Sequence, residues 1–93
     1  MAEKTAARMI ITGKVQGVCF RLETREAARE YGTQGWVRNL ADGTVEVWAE
    51  GEEAQVQALI EWCRKGAPFS RVDQIEVVPQ DFSGRYPSFE ITY

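Results

Sequence analysis

The sequence predicts an α+β domain whose elements follow the order β-α-β-β-α-β, with one short extra strand at the C-terminal end. Two segments have apolar residues at helical spacing, and five segments have the alternating or β-rich character of strands. Glycine or proline marks the break after each helix. At 93 residues, the chain is long enough for a single domain with a modest core.

The first strand is predicted from strict alternation. Residues 8–14 place Met9 and Ile11 on one face, as a half-buried strand requires. Residues 1–7 show no pattern and are expected to form a flexible terminus. The single domain is therefore predicted to occupy residues 8–93.

A helix and a hairpin follow. Residues 22–31 carry an apolar stripe and end before a glycine, which predicts a helix. The stripe consists of Leu22, Ala27, Ala28 and Tyr31. Residues 36–40 and 44–50 are rich in β-formers and are joined by a turn containing Asp42-Gly43, so they predict a hairpin. Its expected buried positions are Val45, Val47 and Ala49.

The second helix has the clearest periodicity in the sequence. Residues 52–65 carry apolar residues at i, i+3, i+4 and i+7, and Gly66 ends the pattern. The apolar positions are Val56, Leu59, Ile60 and Cys63. Residues 72–78 predict a fourth strand, 79–87 a loop, and 88–93 a short final strand.

This order is the ferredoxin-like, split β-α-β arrangement, an antiparallel sheet with both helices on one face. A right-handed helical crossover joins the first two strands, so these strands are expected to be parallel. Their C-terminal ends then share one edge of the sheet. The segment 15–21 is therefore expected to lie beside Asn39.

The charge distribution favours a small anion over a polyanion. The chain carries 14 acidic and 11 basic residues, for a net charge of −3, which is a poor footprint for nucleic acid. Residues 1–38 nevertheless hold seven basic against four acidic residues. An anion site is therefore expected in the first half of the chain.

Histidine is absent, which removes the commonest general base and zinc ligand and every nucleophile pair that uses imidazole. The two cysteines form no C-x-x-C pair and are typical of a reducing cytoplasm. No apolar run approaches a signal-peptide core or a membrane span. We therefore expect a soluble, cytoplasmic protein without membrane association.

The segment 13–21 has the character of an anion-binding loop. It runs from a strand into a helix start, where backbone N–H groups and the helix dipole attract negative charge. Gly13 and Gly17 are expected to let the loop turn. Arg21 follows, and its planar fork can hold two oxygens of a phosphate or carboxylate.

Two motifs resemble those of the acylphosphatase family. Gly13-Lys14-Val15-Gln16-Gly17-Val18-Cys19-Phe20-Arg21 matches the loop G-x-V-Q-G-V-x-F-R. Gly35-Trp36-Val37-Arg38-Asn39, followed by Gly43-Thr44-Val45, matches a G-W-V-x-N strand leading into G-x-V. Both motifs are complete, and the resemblance spans residues 8–93. Leu40 departs from some family members, which carry threonine there, and this is expected to alter only the rim of the site.

The resemblance implies a hydrolase that splits small acyl phosphates into a carboxylate and orthophosphate, without a metal or cofactor. By this resemblance Arg21 binds the phosphoryl group together with the loop amides, and Asn39 positions the attacking water. The implied substrate-binding residues are Val15, Gln16, Gly17, Val18, Cys19, Phe20 and Arg21. The acyl group is left open.

The chemistry is compatible with a chain that lacks histidine. Phosphoryl transfer mainly requires positioning and charge stabilisation. A carboxylate, whose acid has a pKa near about 4, leaves without being protonated. The amide of Asn39 can accept a hydrogen bond from water, although it is no strong base.

Three other interpretations fit parts of the sequence. A non-catalytic phosphate-binding regulatory module on the same fold stays open, because fold does not fix function. A thiol phosphatase loop from Cys19 to Arg25 is disfavoured, because Glu23 would put a carboxylate inside it and Glu26 follows the arginine. A sheet that stacks RNA bases is disfavoured by the excess of acidic residues. It is also disfavoured because the third strand, residues 44–48, lacks the basic-aromatic signature of RNA-recognition domains. With no apolar helix face beyond the core, we expect a monomer.

Overall fold

The computed structural model describes residues 3–93, which form five strands and two helices. In chain order they are β1 (Lys4–Lys14), α1 (Phe20–Tyr31), β2 (Gln34–Asn39), β3 (Val45–Glu52), α2 (Glu53–Lys65), β4 (Arg71–Gln80) and β5 (Phe89–Ile91). The predicted element order and the α+β, ferredoxin-like fold class are confirmed.

The strands form one sheet in the order β4-β1-β3-β2-β5. β1 pairs antiparallel with β3 and β4, and β2 pairs antiparallel with β3. β1 and β2 are therefore parallel to each other, as predicted. The short β5 pairs parallel with β2, which makes the five-stranded sheet mixed. Consequently β1, β2 and β5 all end at the same edge of the sheet.

The core lies between the helices and one face of the sheet. The predicted inward positions of β1, β3 and α2 are all buried, and they meet in one apolar cluster. They are Met9, Ile11, Val45, Val47, Ala49, Val56, Leu59, Ile60 and Cys63. Burial raises the pKa of the Cys63 thiol to about 12, so this cysteine is an inert core residue.

β1 begins earlier than predicted. Lys4 to Ala7 pair with Glu52 to Ala49 of β3, and Ala6 and Ala7 are buried. The expectation of a flexible terminus is therefore wrong from Lys4 onward. The segment is ordered by pairing with the neighbouring strand β3, and such a tertiary contact is not visible in the local sequence pattern. Residues 1 and 2 lie outside the described residues.

α1 begins two residues before the predicted start, and its inward face matches the predicted stripe at Ala27, Ala28 and Tyr31 but not at Leu22. Leu22, predicted on the buried stripe, is 41% exposed. Thr24 is fully buried instead, and its hydroxyl donates to the Phe20 carbonyl oxygen at 2.8 Å. That bond satisfies the polar group and allows threonine in the core. The side chain of Leu22 is left at the sheet edge where the strands end.

A buried carboxylate fastens the segment 81–87 to the face of the sheet opposite the helices. Glu50 is 1% exposed and accepts hydrogen bonds from the Trp48 indole, the Ser83 amide and hydroxyl, and the Gly84 amide. Burial alone would raise the pKa of Glu50, but these hydrogen bonds outweigh it and lower the pKa. The carboxylate therefore stabilises the fold in its ionised form.

Glu50→Gln is expected to lower the free energy of unfolding by about 1–3 kcal/mol at pH 7, because charge-assisted hydrogen bonds are lost. Because the pKa of Glu50 is lower in the folded state than its ordinary value of 4.5, the carboxylate stabilises the folded protein fully at pH values above 4.5. This contribution is lost as the pH falls through the folded-state pKa. Urea unfolding of both proteins should therefore converge below pH 4.5. Glu90→Gln, at an exposed ion pair with Arg29, is the control and should cost under about 1 kcal/mol. A pH-independent difference for Glu50 would contradict the assignment.

Candidate active site

A cavity of about 380 Å³ opens at the edge where β1, β2 and β5 end and α1 begins. The loop 15–19 joins β1 to α1 and forms one side of it. The lining residues are Val15, Gln16, Gly17, Cys19, Phe20, Arg21, Leu22, Asn39, Ile91 and Tyr93. The expected proximity of the loop to Asn39 follows from the parallel course of β1 and β2.

Most residues selected from the sequence meet at this cavity. The exception is Val18, which packs against the core and does not line the cavity. Leu22, Ile91 and Tyr93 line it as well, and sequence reasoning missed them. The helical stripe predicts Leu22 in the core, whereas Ile91 and Tyr93 reach the cavity through the parallel pairing of β5 with β2.

The loop amides are free to bind a ligand. Within residues 3–93, the backbone N–H groups of residues 16–19 donate to no protein acceptor. Cys19, the N-cap residue of α1, lies in the left-handed region at φ 61°, and no side chain caps the helix. The first intrahelical bond runs from the Glu23 amide to the Cys19 carbonyl oxygen at 3.0 Å. Unpaired amides at a helix start form an anion-binding cradle.

The side chain of Gln16 fixes the loop against the β2–β3 hairpin. Its Nε2 donates to the carbonyl oxygens of Leu40 at 2.8 Å and Thr44 at 2.9 Å. The Leu40 amide in turn donates to the Thr44 carbonyl oxygen at 2.9 Å. These bonds connect the loop to the end of the strand that carries Asn39.

Two glycines shape the loop in different ways. Gly17 has φ +74° with no atom near its missing side chain, so it serves the turn as expected. Gly13 has φ +142°, and a Cβ there would lie 2.0 Å from the Arg71 carbonyl oxygen. Gly13 thus permits close approach of β4 at a register shift in β1, before the loop starts.

Arg21 is the unpaired arginine of the first half of the chain. Residues 3–38 contain five arginines, and the other four contact carboxylates of the described chain. The guanidinium carbon of Arg21 instead lies 5.1 Å from the centroid of the Tyr93 ring. A guanidinium that stacks on an aromatic face keeps its N–H edge available for a planar anion.

Arg38, next to Asn39, belongs to the opposite face of the sheet. Its Nε donates to Glu46 at 2.7 Å, and Arg8 contacts the other oxygen of the same carboxylate. Burial opposes ionisation of Glu46, but hydrogen bonds from Arg38 and Arg8 lower its pKa. This pairing holds both arginines at Glu46 on that face and leaves the cavity to Arg21.

Asn39 presents an unsatisfied acceptor. It is the last residue of β2, paired with Val45 of β3, and it lines the cavity. Its Oδ1 is buried and has no hydrogen-bond partner within the described part of the chain. A buried amide oxygen without a partner is costly, by about 1–3 kcal/mol. Such an atom is typical of a position that accepts a hydrogen bond from a bound molecule.

The thiol loop considered from sequence is not assembled. Cys19 lines the cavity, but Arg25 lies beyond it on α1, with its Nη2 3.5 Å from Glu26. The fold and the cavity together therefore define a small α+β protein whose cavity is lined by a loop, a helix start and one arginine, an arrangement that can bind an anion.

Comparison with known proteins identifies the family. The acylphosphatase family model matches residues 7–91. The chain is 50% identical to an acylphosphatase of Syntrophobacter fumaroxidans, over 98% of this chain and 94% of that protein. It is 47% identical to an acylphosphatase of Anaeromyxobacter dehalogenans over the full length of both. The acylphosphatase of Bacillus subtilis superposes with a TM-score of 0.92 at 38% identity, covering 96% of this chain and 99% of that structure.

The chain belongs to the acylphosphatase family. The predicted enzyme class, a hydrolase of the acylphosphatase type, is confirmed with it. In residues 3–93, no helix combines the length and apolar character needed to cross a membrane.

Proposed function

We propose that the cavity hydrolyses the carboxyl-phosphate bond of small acyl phosphates by in-line attack of a water held by Asn39. The observation that carries this proposal is the buried, partnerless Oδ1 of Asn39 in the same cavity as unpaired loop amides and Arg21. One group in the cavity can accept from water, and the others can bind phosphate. That division of donors and acceptors suits hydrolysis.

In this mechanism the phosphoryl oxygens lie against the amides of residues 15–20 and the fork of Arg21. These donors neutralise charge on the equatorial oxygens and hold phosphorus in place. The loop amides are fixed in advance, because Gln16 ties the loop to the hairpin. Donors that need no rearrangement stabilise the transition state most effectively.

Asn39 accepts a hydrogen bond from one water and orients its oxygen toward phosphorus. As the new P–O bond forms, the bond to the acyl oxygen breaks, and the carboxylate leaves with the electron pair. Both water hydrogens can stay on the orthophosphate, so the products are a carboxylate and dihydrogen phosphate. The leaving carboxylate needs no general acid, and a loose transition state needs little base assistance.

The test is hydrolysis of benzoyl phosphate by the purified protein in excess chelator, with phenyl phosphate as the control substrate. We expect chelator-resistant turnover of the acyl phosphate and none of the monoester, because the monoester leaving group requires protonation. Loss of activity in chelator would contradict metal-free chemistry. Comparable turnover of phenyl phosphate would favour a thiol phosphatase.

The alternative function is a phosphate-binding regulatory module without catalysis. The free loop amides and Arg21 support binding in either case. The same assay separates the two, because the module would bind inorganic phosphate in calorimetry and release none from benzoyl phosphate. We further propose that the protein is a monomer, which sedimentation of the purified protein would test, and that it is cytoplasmic, which cell fractionation would test.

A further inference from the structure

A second cavity, of about 480 Å³, lies between the two helices. It is lined by the last residue of α1 and by one side of α2. We call it the interhelical groove. Its lining residues are Tyr31, Ala58, Glu61, Trp62, Arg64 and Lys65. None of the six lines the candidate active site.

The spacing of residues along α2 produces the groove. Ala58, Trp62 and Lys65 stand at i, i+4 and i+7, so they share one face of the helix, beside the face that packs into the core. The side chain of Ala58 is short, whereas the rings of Tyr31 and Trp62 pack against the core and stay half-buried. The groove is therefore a concave surface with two aromatic faces.

The polar groups that remain free in the groove are donors. The indole N–H groups of Trp36 and Trp48 are bonded within the protein, but that of Trp62 donates to no acceptor in residues 3–93. The ion pairs of the same residues all involve arginine, so the Lys65 ammonium contacts no carboxylate. Because an indole N–H and an ammonium donate and cannot accept, a matching ligand presents acceptor atoms.

The charge of the groove favours a negatively charged acceptor. Oε1 of Glu61, the acidic residue of this lining, lies 3.5 Å from Nε of Arg64. Lys65 remains as the excess positive charge. A carboxylate supplies both the acceptor oxygens and the opposite charge. An aromatic ring attached to it would stack on the faces of Tyr31 and Trp62.

The size of the groove favours a small molecule over a protein. Its volume of about 480 Å³ lies within the range of sites for small organic ligands, about 300–1,000 Å³. Its six lining residues are far fewer than the roughly 20–30 that each side of a stable protein interface contributes. We propose that the interhelical groove is a second ligand site, which binds a small aromatic carboxylate. This inference does not depend on the proposed function.

The test is a titration of the full chain with benzoate, followed through the three indole N–H signals in two-dimensional NMR spectra. Trp62→Phe assigns the Trp62 signal. We expect this signal to shift saturably, with a dissociation constant of about 1 mM or tighter. The signals of Trp36 and Trp48 should change little, because their N–H groups are already bonded. Absence of a saturable shift up to about 20 mM benzoate would overturn the inference.

Two related compounds separate the contributions of the ring and the charge. Benzamide keeps the ring but is neutral, and acetate keeps the carboxylate but has no ring. We expect each to bind about fivefold or more weakly than benzoate, because each loses one of the two contacts. If either compound binds as tightly as benzoate, the groove does not recognise an aromatic carboxylate and the inference is refuted.

Lys65→Gln is expected to weaken benzoate binding about fivefold and to change benzamide binding less than about twofold, because the charge contact alone is removed. Lys4→Gln is the matched control, since it makes the same change at an exposed lysine outside the groove. Tyr31→Leu should weaken benzoate and benzamide together through lost stacking. Equal effects of Lys65→Gln and Lys4→Gln would reduce binding to general electrostatic attraction and contradict the proposed site.

The groove must also be distinguished from the candidate active site, because an aromatic contact joins the two. The ring centroids of Phe20 and Trp62 lie 5.9 Å apart, and Phe20 lines the active-site cavity. Benzoate bound in that cavity would therefore also shift the Trp62 signal. The titration is repeated in saturating inorganic phosphate at constant ionic strength, and we expect the shift to persist. A shift that phosphate abolishes arises in the active-site cavity and would rule out the second site.

Discussion

Asn39→Ala is expected to reduce kcat for benzoyl phosphate by about 100-fold or more while inorganic phosphate still binds. The physical reason is that, in the proposed mechanism, Oδ1 accepts a hydrogen bond from the attacking water, whereas the loop amides and Arg21 bind phosphate. Without the amide, water still enters the cavity but is no longer aligned with phosphorus. Losing alignment raises the barrier without weakening the ground-state complex.

The stability of this variant gives a second, independent readout. Oδ1 is buried without a partner, so its removal costs no hydrogen bond within the described chain. We expect the free energy of unfolding of Asn39→Ala to equal or exceed that of the wild type. A catalytic residue that is lost without destabilisation marks a site at which stability has been given up for function.

Steady-state kinetics and product inhibition by phosphate would test this assignment directly. Asn39→Asp is the control, because it keeps an acceptor of the same size but adds negative charge near the anion, so phosphate inhibition should weaken. If phosphate binding in Asn39→Ala falls as much as kcat, Asn39 contacts the phosphoryl group and does not act through water.

The sequence anticipated the parts of the site that depend on local pattern and on topology. The loop of residues 13–21 is recognisable because it joins a strand to a helix, ends in an arginine and carries a motif that resembles the acylphosphatase family. The proximity of that loop to Asn39 followed from the parallel arrangement of β1 and β2. Both features are set by chain order and the handedness of crossovers, which sequence patterns reveal well.

The parts that escaped prediction depend on contacts between distant segments. The start of β1 at Lys4 depends on pairing with β3, and burial of Glu50 depends on donors from the segment 81–87. Tyr93 reaches the cavity only because β5 pairs parallel with β2, outside the split β-α-β pattern. Tertiary pairing of this kind overrides local propensity and leaves no periodic signal.

The position of Leu22 shows a subtler difficulty. Four apolar residues were placed on one helical stripe, yet the helix turns Thr24 inward and leaves Leu22 at the cavity. A buried threonine is polar by composition, and only its bond to the Phe20 carbonyl oxygen makes it a core residue. An apolar residue at a binding site resembles a core residue in sequence, so periodicity alone assigned it to the wrong side.

Arg21→Lys is expected to reduce kcat/KM for benzoyl phosphate by about 10²–10³-fold. It should also raise the inhibition constant for phosphate by about 10–100-fold. Lysine keeps the charge, but an ammonium group cannot donate two parallel hydrogen bonds to a phosphoryl group. It also loses the planar surface that stacks against Tyr93. Binding and rate should therefore fall together, in contrast to Asn39→Ala.

Arg25→Lys is the matched control for this substitution. Arg25 lies one helical turn beyond Arg21 on α1 and is absent from the cavity lining, and its Nη2 lies 3.5 Å from Oε1 of Glu26. The same change in charge density on the same helix should leave both kinetic constants close to those of the wild type. If Arg21→Lys behaved like Arg25→Lys, the fork would be dispensable, and phosphate would have to be held by the loop amides alone. The two variants thus separate a directional contact at the cavity from the general positive field of α1, which both arginines supply.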